Sequence, residues 1–369
     1  MITTHADVVG SLLRPPELLN AREEVAAGKI SQAEFKATED RAVDEAVAVQ
    51  EGAGLEVVTD GEMRRLSFQS QMTEAVEGFG EYDIDAFLWG DWQGDKRVGD
   101  RRVERPASLG VVGKLKRKRH LSAEEFACLR AKTTRIPKVT LPSPSLFVNF
   151  WPTNRVVAAY RTLESFLADV VDILRDEAAE LARLGATYIQ IDAPHYTSLL
   201  DARNRAFYES QGWTREEWLS RGIEMDNAVM EDHPGVTFGF HLCRGNQGSR
   251  WLTEGGYDEI ARPIFRKIRA QRLLLEYDDA RSGSFEPLKN MPEDKTAVLG
   301  LVTTKSRRRE TVEELAARTR EAARFMPLDR LAISPQCGFS TSIIGNRISA
   351  EDQRRKLRAV AETAKAVWG

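Results

Sequence analysis

Cysteine is scarce in this chain: Cys128, Cys243 and Cys337 are the three among 369 residues, too few and too scattered for a disulfide framework. Metal binding or catalysis is therefore the better expectation for any cysteine in a polar setting. No apolar run approaches the roughly 20 residues that span a bilayer. The opening stretch MITTHADVVGSLLRPPELL lacks the basic and apolar regions of a secretory signal. The expected compartment is the cytoplasm, where thiols stay reduced. Neither sign of charge dominates: 53 basic against 56 acidic residues give a formal charge of −3, so nothing global points to nucleic acid or to an acidic membrane. Low-complexity tracts, linkers and internal repeats are also missing, and one domain over residues 1–369 is expected.

What is present suits a globular enzyme: 42% hydrophobic and 30% charged residues allow a sizeable core under a charged surface. Strand-like segments alternate with helical patterns, the signature of a parallel α/β sheet. The strands read as Asp7–Gly10, Leu55–Asp60, Lys138–Leu141, Tyr188–Asp192, Val236–Cys243, Leu273–Tyr277, Val298–Val302 and Leu331–Ser334. That number predicts a closed (β/α)8 TIM barrel. Helices are predicted over Gln32–Glu51, Thr162–Leu184, Thr214–Asp232, Val312–Phe325 and Ala350–Val367. Residues 80–126 break the rhythm as a long excursion between strands two and three, with a further strand-like piece at Ser108–Leu115 that suggests a hairpin over the mouth. Its basic run Lys114–His120 reads either as a solvated edge strand or as a seat for an anionic substrate tail.

The sharpest local signal is Phe238-Gly-Phe-His241-Leu-Cys243-Arg-Gly, at the end of an apolar strand. Residues two apart on a strand face the same side, so His241 and Cys243 can share one metal ion. Cys337 follows another apolar strand, in Ile333-Ser-Pro-Gln-Cys337-Gly, and Glu276 ends a third, in Leu273-Leu-Leu-Glu276. Barrel enzymes gather their sites at the C-terminal strand ends, and one histidine, two cysteines and a carboxylate there make a tetrahedral zinc site. Taken singly, each of these residues reads as core or framework; their joint placement carries the assignment. Cys128, in the helical pattern Ala123–Lys132, has no such company and reads as structural. Zinc coordination removes a thiol's proton at neutral pH, and an exchangeable carboxylate leaves room for an incoming thiol.

These motifs resemble the catalytic barrel of cobalamin-independent methionine synthase, in particular the short single-barrel branch of its superfamily. The resemblance implies zinc ligation by His241, Cys243, Glu276 and Cys337. Val9-Gly10-Ser11 is similar to the family's first strand, which contacts homocysteine. Thr59-Asp60-Gly61-Glu62 and Ile189-Gln-Ile-Asp192-Ala-Pro are similar to the segments whose carboxylates, here Glu62 and Asp192, hold the substrate's amino group. The implied activity is methyl transfer from a small-molecule donor to a thiol, forming methionine, with no nucleic-acid or membrane partner.

Departures from the family pattern bear on the donor. Full-length members have two barrels, and only the catalytic one is matched. Lys305 stands where the family's general-acid histidine is expected, Pro144 falls near the position of a tryptophan close to folate, and Ser198 near that of a glutamate. His195, just after Asp192-Ala-Pro, is a second acid/base candidate; Arg244, Asn246, Arg250 and Arg281 are candidates for binding a carboxylate or phosphate. The donor thus stays open among folate, cobalamin and others, as does the oligomeric state. Alternative readings are another zinc-thiolate alkyl transfer such as epoxide opening, a metal-free decarboxylase of the same superfamily, and a zinc-stabilised scaffold.

Overall fold

The computed structural model describes residues 2–82, 86, 89–152 and 157–369. Helices α1 (Pro16–Ala26) and α2 (Gln32–Gly52) lead into strand β1 (Val57–Val58), and α3 (Ser70–Ala75) opens the excursion. The excursion holds β2 (Val76–Phe79), β3 (Gly90–Trp92), β4 (Arg101–Val103) and β5 (Val111–Arg117), and α4 (Ala123–Lys132) closes it. Strand β6 (Ile136–Pro142), a 3-10 turn, α5 (Leu163–Arg183) and β7 (Tyr188–Asp192) follow. Helices α6 (Pro194–Ser198), α7 (Ala202–Ser210) and α8 (Arg215–Met230) precede β8 (Thr237–Leu242). The chain ends through α9 (Asp258–Lys267), β9 (Arg272–Glu276), β10 (Thr296–Val302), α10 (Val312–Ala322), β11 (Leu331–Pro335) and α11 (Ala350–Trp368).

Strands β1, β6, β7, β8, β9, β10 and β11 pair in that order as a parallel seven-stranded sheet curled into a TIM barrel. Every residue of β7, β8, β9 and β11 is buried, as expected of parallel strands covered by helices on one face and barrel interior on the other. α5 shows how the outer layer is specified. Thr162 caps its N-terminus through the Ser165 N–H, and Phe166, Val170, Leu174 and Leu181 recur at helical spacing on its buried side.

The first predicted strand, Asp7–Gly10, is not a ladder strand. It touches β11 through a single parallel bridge, Ala6 to Ile333, with Asp7 N–H donating to the Ile333 carbonyl at 2.9 Å. Side chains take up its remaining backbone groups. Gln190 donates to the Val9 carbonyl at 2.8 Å, Thr59 to Gly10 at 2.6 Å, and Lys138 to Val8. The second predicted strand, Leu55–Asp60, contracts to β1 for a like reason: the Thr59 N–H donates to the Gln50 side chain at 3.0 Å.

The excursion starts before residue 80, at β2, and of the predicted span residues 83–85, 87 and 88 lie outside the described residues. β2 pairs antiparallel with β5, and β3 with β4, and Trp89, Trp92 and Leu109 close over the barrel mouth. Part of the basic run pairs with α5, while Lys116 and Lys118 are exposed. Lys114 pairs with Asp169 at 2.6 Å, Arg117 with Asp176 at 3.4 Å and His120 with Glu177 at 3.1 Å. Beneath the barrel, Asp7 accepts from Lys138 at 3.0 Å, Tyr188 at 2.7 Å and Arg272 at 3.1 Å, a wholly buried polar floor.

Candidate metal and substrate site

Sheet register brings the strand ends together. Asp192 is level with His241, and His241 with Leu274. One ligand atom from each of His241, Cys243, Glu276 and Cys337 lies within 4.8 Å of the others, and all four residues are buried. The two sulfurs are 3.5 Å apart. Their shared hydrogen bond lowers the Cys337 thiol well below the usual range and raises that of Cys243.

The donor atoms fit a soft or borderline divalent cation. His241 Nδ1 lies 3.2 Å from the Leu274 carbonyl, so it is the donor, which fixes the tautomer and leaves Nε2 as a free lone pair. Nε2 is buried and has no hydrogen-bond partner, which is costly unless a cation takes it. One Glu276 oxygen accepts from the Arg244 backbone N–H at 3.0 Å, and the Gly245 N–H donates to Cys243 Sγ at 3.3 Å.

A cavity opens above this cluster. His241, Cys243 and Cys337 line its floor, Val9, Ser11, Glu62 and Asp192 one wall, and His195 and Ser198 another. Its far end is aromatic, with Trp89, Trp92, Phe150 and Tyr208. Gly10, Glu276 and Lys305 are not among the lining residues. Gly10 packs beneath Glu62, and a side chain there would meet the Glu62 carboxylate at 3.1 Å. Lys305 is buried, its Nζ lacks a hydrogen-bond partner, and its charge acts on Cys243 and Cys337.

Both predicted carboxylates face the cavity with capacity to spare. Glu62 accepts from Thr140 at 2.9 Å through one oxygen while its other oxygen is buried without a partner. Its backbone is left-handed, φ 56°, a strained conformation of the kind that functional sites retain. Asp192 accepts from Gln190 at 2.7 Å, and burial pushes its carboxyl up to about 7. A cation beside these two groups would relieve their burial cost.

Three other candidates from the sequence are engaged elsewhere. Asn246 lines the cavity but donates to the Gly338 carbonyl at 2.6 Å. Arg250 holds the Gly99 carbonyl at 2.7 Å, and Arg281 pairs with Asp279 at 2.6 Å. Arg244 stacks over the Tyr257 ring at 4.3 Å, and its guanidinium nitrogens are buried without a hydrogen-bond partner. Cys128 contacts Arg64 at 3.3 Å, away from the cluster. Sequence reasoning missed Thr140 and Gln190. Gln190 was within reach of the two-residue strand period that picked out His241 and Cys243; Thr140 is disclosed only by the fold.

Fold and site together define a barrel enzyme with a thiol–imidazole–carboxylate set, fit for a metal ion, under a cavity walled by two buried carboxylates, of which Glu62 also pairs with Arg65 at 3.7 Å. Residues 1–365 match the family described as the cobalamin-independent synthase catalytic domain, and the chain belongs to that family of methyltransferases. It is 32% identical to the protein YxjH of Bacillus subtilis (strain 168) over 98% of this chain and 94% of that one. It is 27% identical to the methionine synthase of Pyrococcus abyssi over 96% and 90%. Among solved structures, one from Listeria monocytogenes assigned as a vitamin-B12 independent methionine synthase superposes with a TM-score of 0.74 at 25% identity, covering 99% of this chain and 98% of that one. Among the described residues, no helix is long and apolar enough to cross a membrane.

Proposed function

We propose that the chain is a zinc-dependent methyltransferase that activates an amino-acid thiol, homocysteine or a close analogue, and methylates it to methionine or its counterpart. The observation that carries this reading is the buried set of two thiols, one free imidazole lone pair and one carboxylate, gathered under a cavity. Soft sulfur and imidazole donors suit zinc, and a carboxylate in place of a third thiolate distinguishes an exchangeable site from a closed structural one. Zinc held there supplies the loss of the thiol proton at neutral pH.

The chain's own residues supply the rest. Glu62 and Asp192 receive the substrate ammonium, and Val9 and Ser11 bound the space around its carbon chain. Glu276, tethered by the Arg244 N–H, would hold the metal beside the two cysteines and His241, and as the one oxygen donor would be the ligand to give way to a thiol. The aromatic end of the cavity excludes water and seats the methyl donor. Lys305, behind the cysteines, adds a positive charge that favours their thiolate forms. The name of the Pyrococcus abyssi relative supports methionine as product.

Metal analysis of purified protein is expected to give one zinc per chain, and Cys243→Ser or Cys337→Ser to lose most of it. Protein supplied with homocysteine and a methyl donor is expected to release methionine, measured by mass. Full zinc occupancy in both variants would overturn the ligand assignment.

A further inference from the structure

The end of the cavity away from the metal cluster is built from four aromatic side chains held by separate elements. Trp89 and Trp92 stand at either end of β3, Phe150 closes the turn after β6, and Tyr208 lies on α7. Neighbouring rings brace them. Phe207 meets Trp89 at 4.7 Å and Tyr208 at 5.4 Å between centroids, and Phe147 meets Phe150 at 5.6 Å. The segment after β3 is tied to the loop after β8 by two backbone hydrogen bonds. The Gln93 N–H donates to the Trp251 carbonyl at 2.8 Å, and the Trp251 N–H to the Gln93 carbonyl at 3.0 Å. These ties fix the rings relative to the barrel rim.

The polarity of the lining is one-sided. Among the described residues, no lysine or arginine lines this cavity. Arg65 and Lys305 are buried nearby but are not lining residues, and Arg65 is held by Glu125 at 2.7 Å. Apart from one ring nitrogen of His195, the buried side-chain atoms of the lining that lack a partner are acceptors. Glu62 keeps one carboxylate oxygen in this state, and Gln69, Asn149 and Asn246 each keep an amide oxygen. The orientation of two of these amides is set by their nitrogens: Asn149 donates to the Leu146 carbonyl at 2.8 Å and Asn246 to the Gly338 carbonyl at 2.6 Å. His195 adds no positive charge, since its Nε2 is 2.7 Å from the Ser145 hydroxyl and burial lowers its imidazole to about 3.

We propose that the methyl donor of this chain is an onium cation, a sulfonium or a quaternary ammonium, held at the aromatic end of the cavity by ring faces and carbonyl oxygens. The proposal rests on the methyl-transfer reading and names the class of the second substrate. An onium spreads its charge over the carbons around sulfur or nitrogen. Aromatic faces attract that charge, and the polarised C–H groups meet oxygen acceptors without any N–H or O–H on the ligand. A donor that carries carboxylates finds no side-chain cation in this lining.

The step balances without an acid. The substrate thiol gives its proton to solvent, and its sulfur attacks the methyl carbon. As the sulfur–carbon bond forms, the bond from that carbon to the onium atom breaks and its electron pair stays with the leaving sulfur or nitrogen. The leaving group departs as a neutral thioether or tertiary amine. One proton is released per turnover, and no residue of the cavity has to supply one.

Binding is read first and needs no turnover. Calorimetry on the whole protein compares choline with 3,3-dimethylbutanol, its uncharged counterpart of the same shape. Choline is expected to bind about 10-fold more tightly. Trp89→Leu is expected to remove most of that preference and Trp89→Phe to keep it. Equal affinity for the two probes in the parent, or a preference intact in Trp89→Leu, would overturn the proposal. The transfer arm supplies homocysteine with methyl-deuterated trimethylsulfonium, choline, methyltetrahydrofolate or methylcobalamin and weighs the methionine formed. Label from trimethylsulfonium assigns the sulfonium class, and label from choline the quaternary ammonium class. Label from methyltetrahydrofolate or methylcobalamin alone would overturn the onium donor and leave methyl transfer standing. No label from any donor, with an unchanged sulfur count at the metal, would overturn both.

Discussion

At the scale of single residues, the cavity holds buried carboxylates that keep oxygens free of hydrogen bonds or sit raised by burial. Asp192 illustrates the point. It is 6% exposed and its one strong partner is Gln190. Replacing it by Asn keeps the shape and the hydrogen bond but removes the charge proposed to meet an ammonium group. Asp192→Asn is expected to raise KM for homocysteine at least 10-fold, a loss of about 1.4 kcal/mol or more, with zinc content unchanged. Steady-state kinetics with parallel metal analysis checks it, and an unaltered KM would remove Asp192 from the ammonium site. His241, Cys243, Glu276 and Cys337 were legible before the fold because each ends an apolar strand, and a barrel sends all such ends to one rim. Ser145 was not legible as the partner of His195. It enters from the turn after β6, and nothing in local sequence ties the two.

At the scale of elements, what the sequence states clearly is the regular repeat, and what it hides is substitution of side chains for backbone pairing. Helices α2, α5, α8 and α11 fall within a few residues of their predicted spans because capping residues and apolar stripes mark both ends and face. The first barrel segment reads as a strand by composition, yet Gln190, Thr59 and Lys138 satisfy its carbonyls in place of a ladder. No periodicity within Asp7–Gly10 carries that information. Close approach between strands is likewise a property of the assembled sheet. At Gly300 on β10, an added side-chain carbon would lie 2.7 Å from the Gln336 Cα and 2.9 Å from the Leu275 carbonyl oxygen. Both neighbours are backbone and cannot swing aside. Gly300→Ala is therefore expected to cost about 1–3 kcal/mol, read as a lower urea midpoint at constant slope. An unchanged midpoint would mean that β10 and β11 are less tightly fixed than described.

At the scale of the whole molecule, a polar floor and a metal-ready rim stand at opposite ends of one barrel. The floor centres on Asp7, which meets Lys138, Tyr188 and Arg272 with no exposure. Burial alone would raise its carboxyl, but the charges of Lys138 and Arg272 outweigh burial and hold it below 3.8. A depressed carboxylate contributes its full stability above its unfolded value and loses it as pH falls through the folded one. The barrel is thus expected to lose this contribution only in strong acid, below about pH 4. Asp7→Asn, which leaves two buried cations short of a counter-charge, is expected to cost about 3–5 kcal/mol at neutral pH. Its thermal midpoint should also depend less on pH in acid than that of the wild type. A variant as stable as the parent would show that Lys138 and Arg272 find other partners.

At the rim, the central claim is that a substrate sulfur joins the two cysteine sulfurs at zinc in place of Glu276. X-ray absorption at the zinc edge reads this directly. The protein alone is expected to show two sulfurs, one nitrogen and one oxygen, and saturating homocysteine to convert this to three sulfurs and one nitrogen. A sulfur count that stays at two with homocysteine bound would contradict thiol activation by this chain.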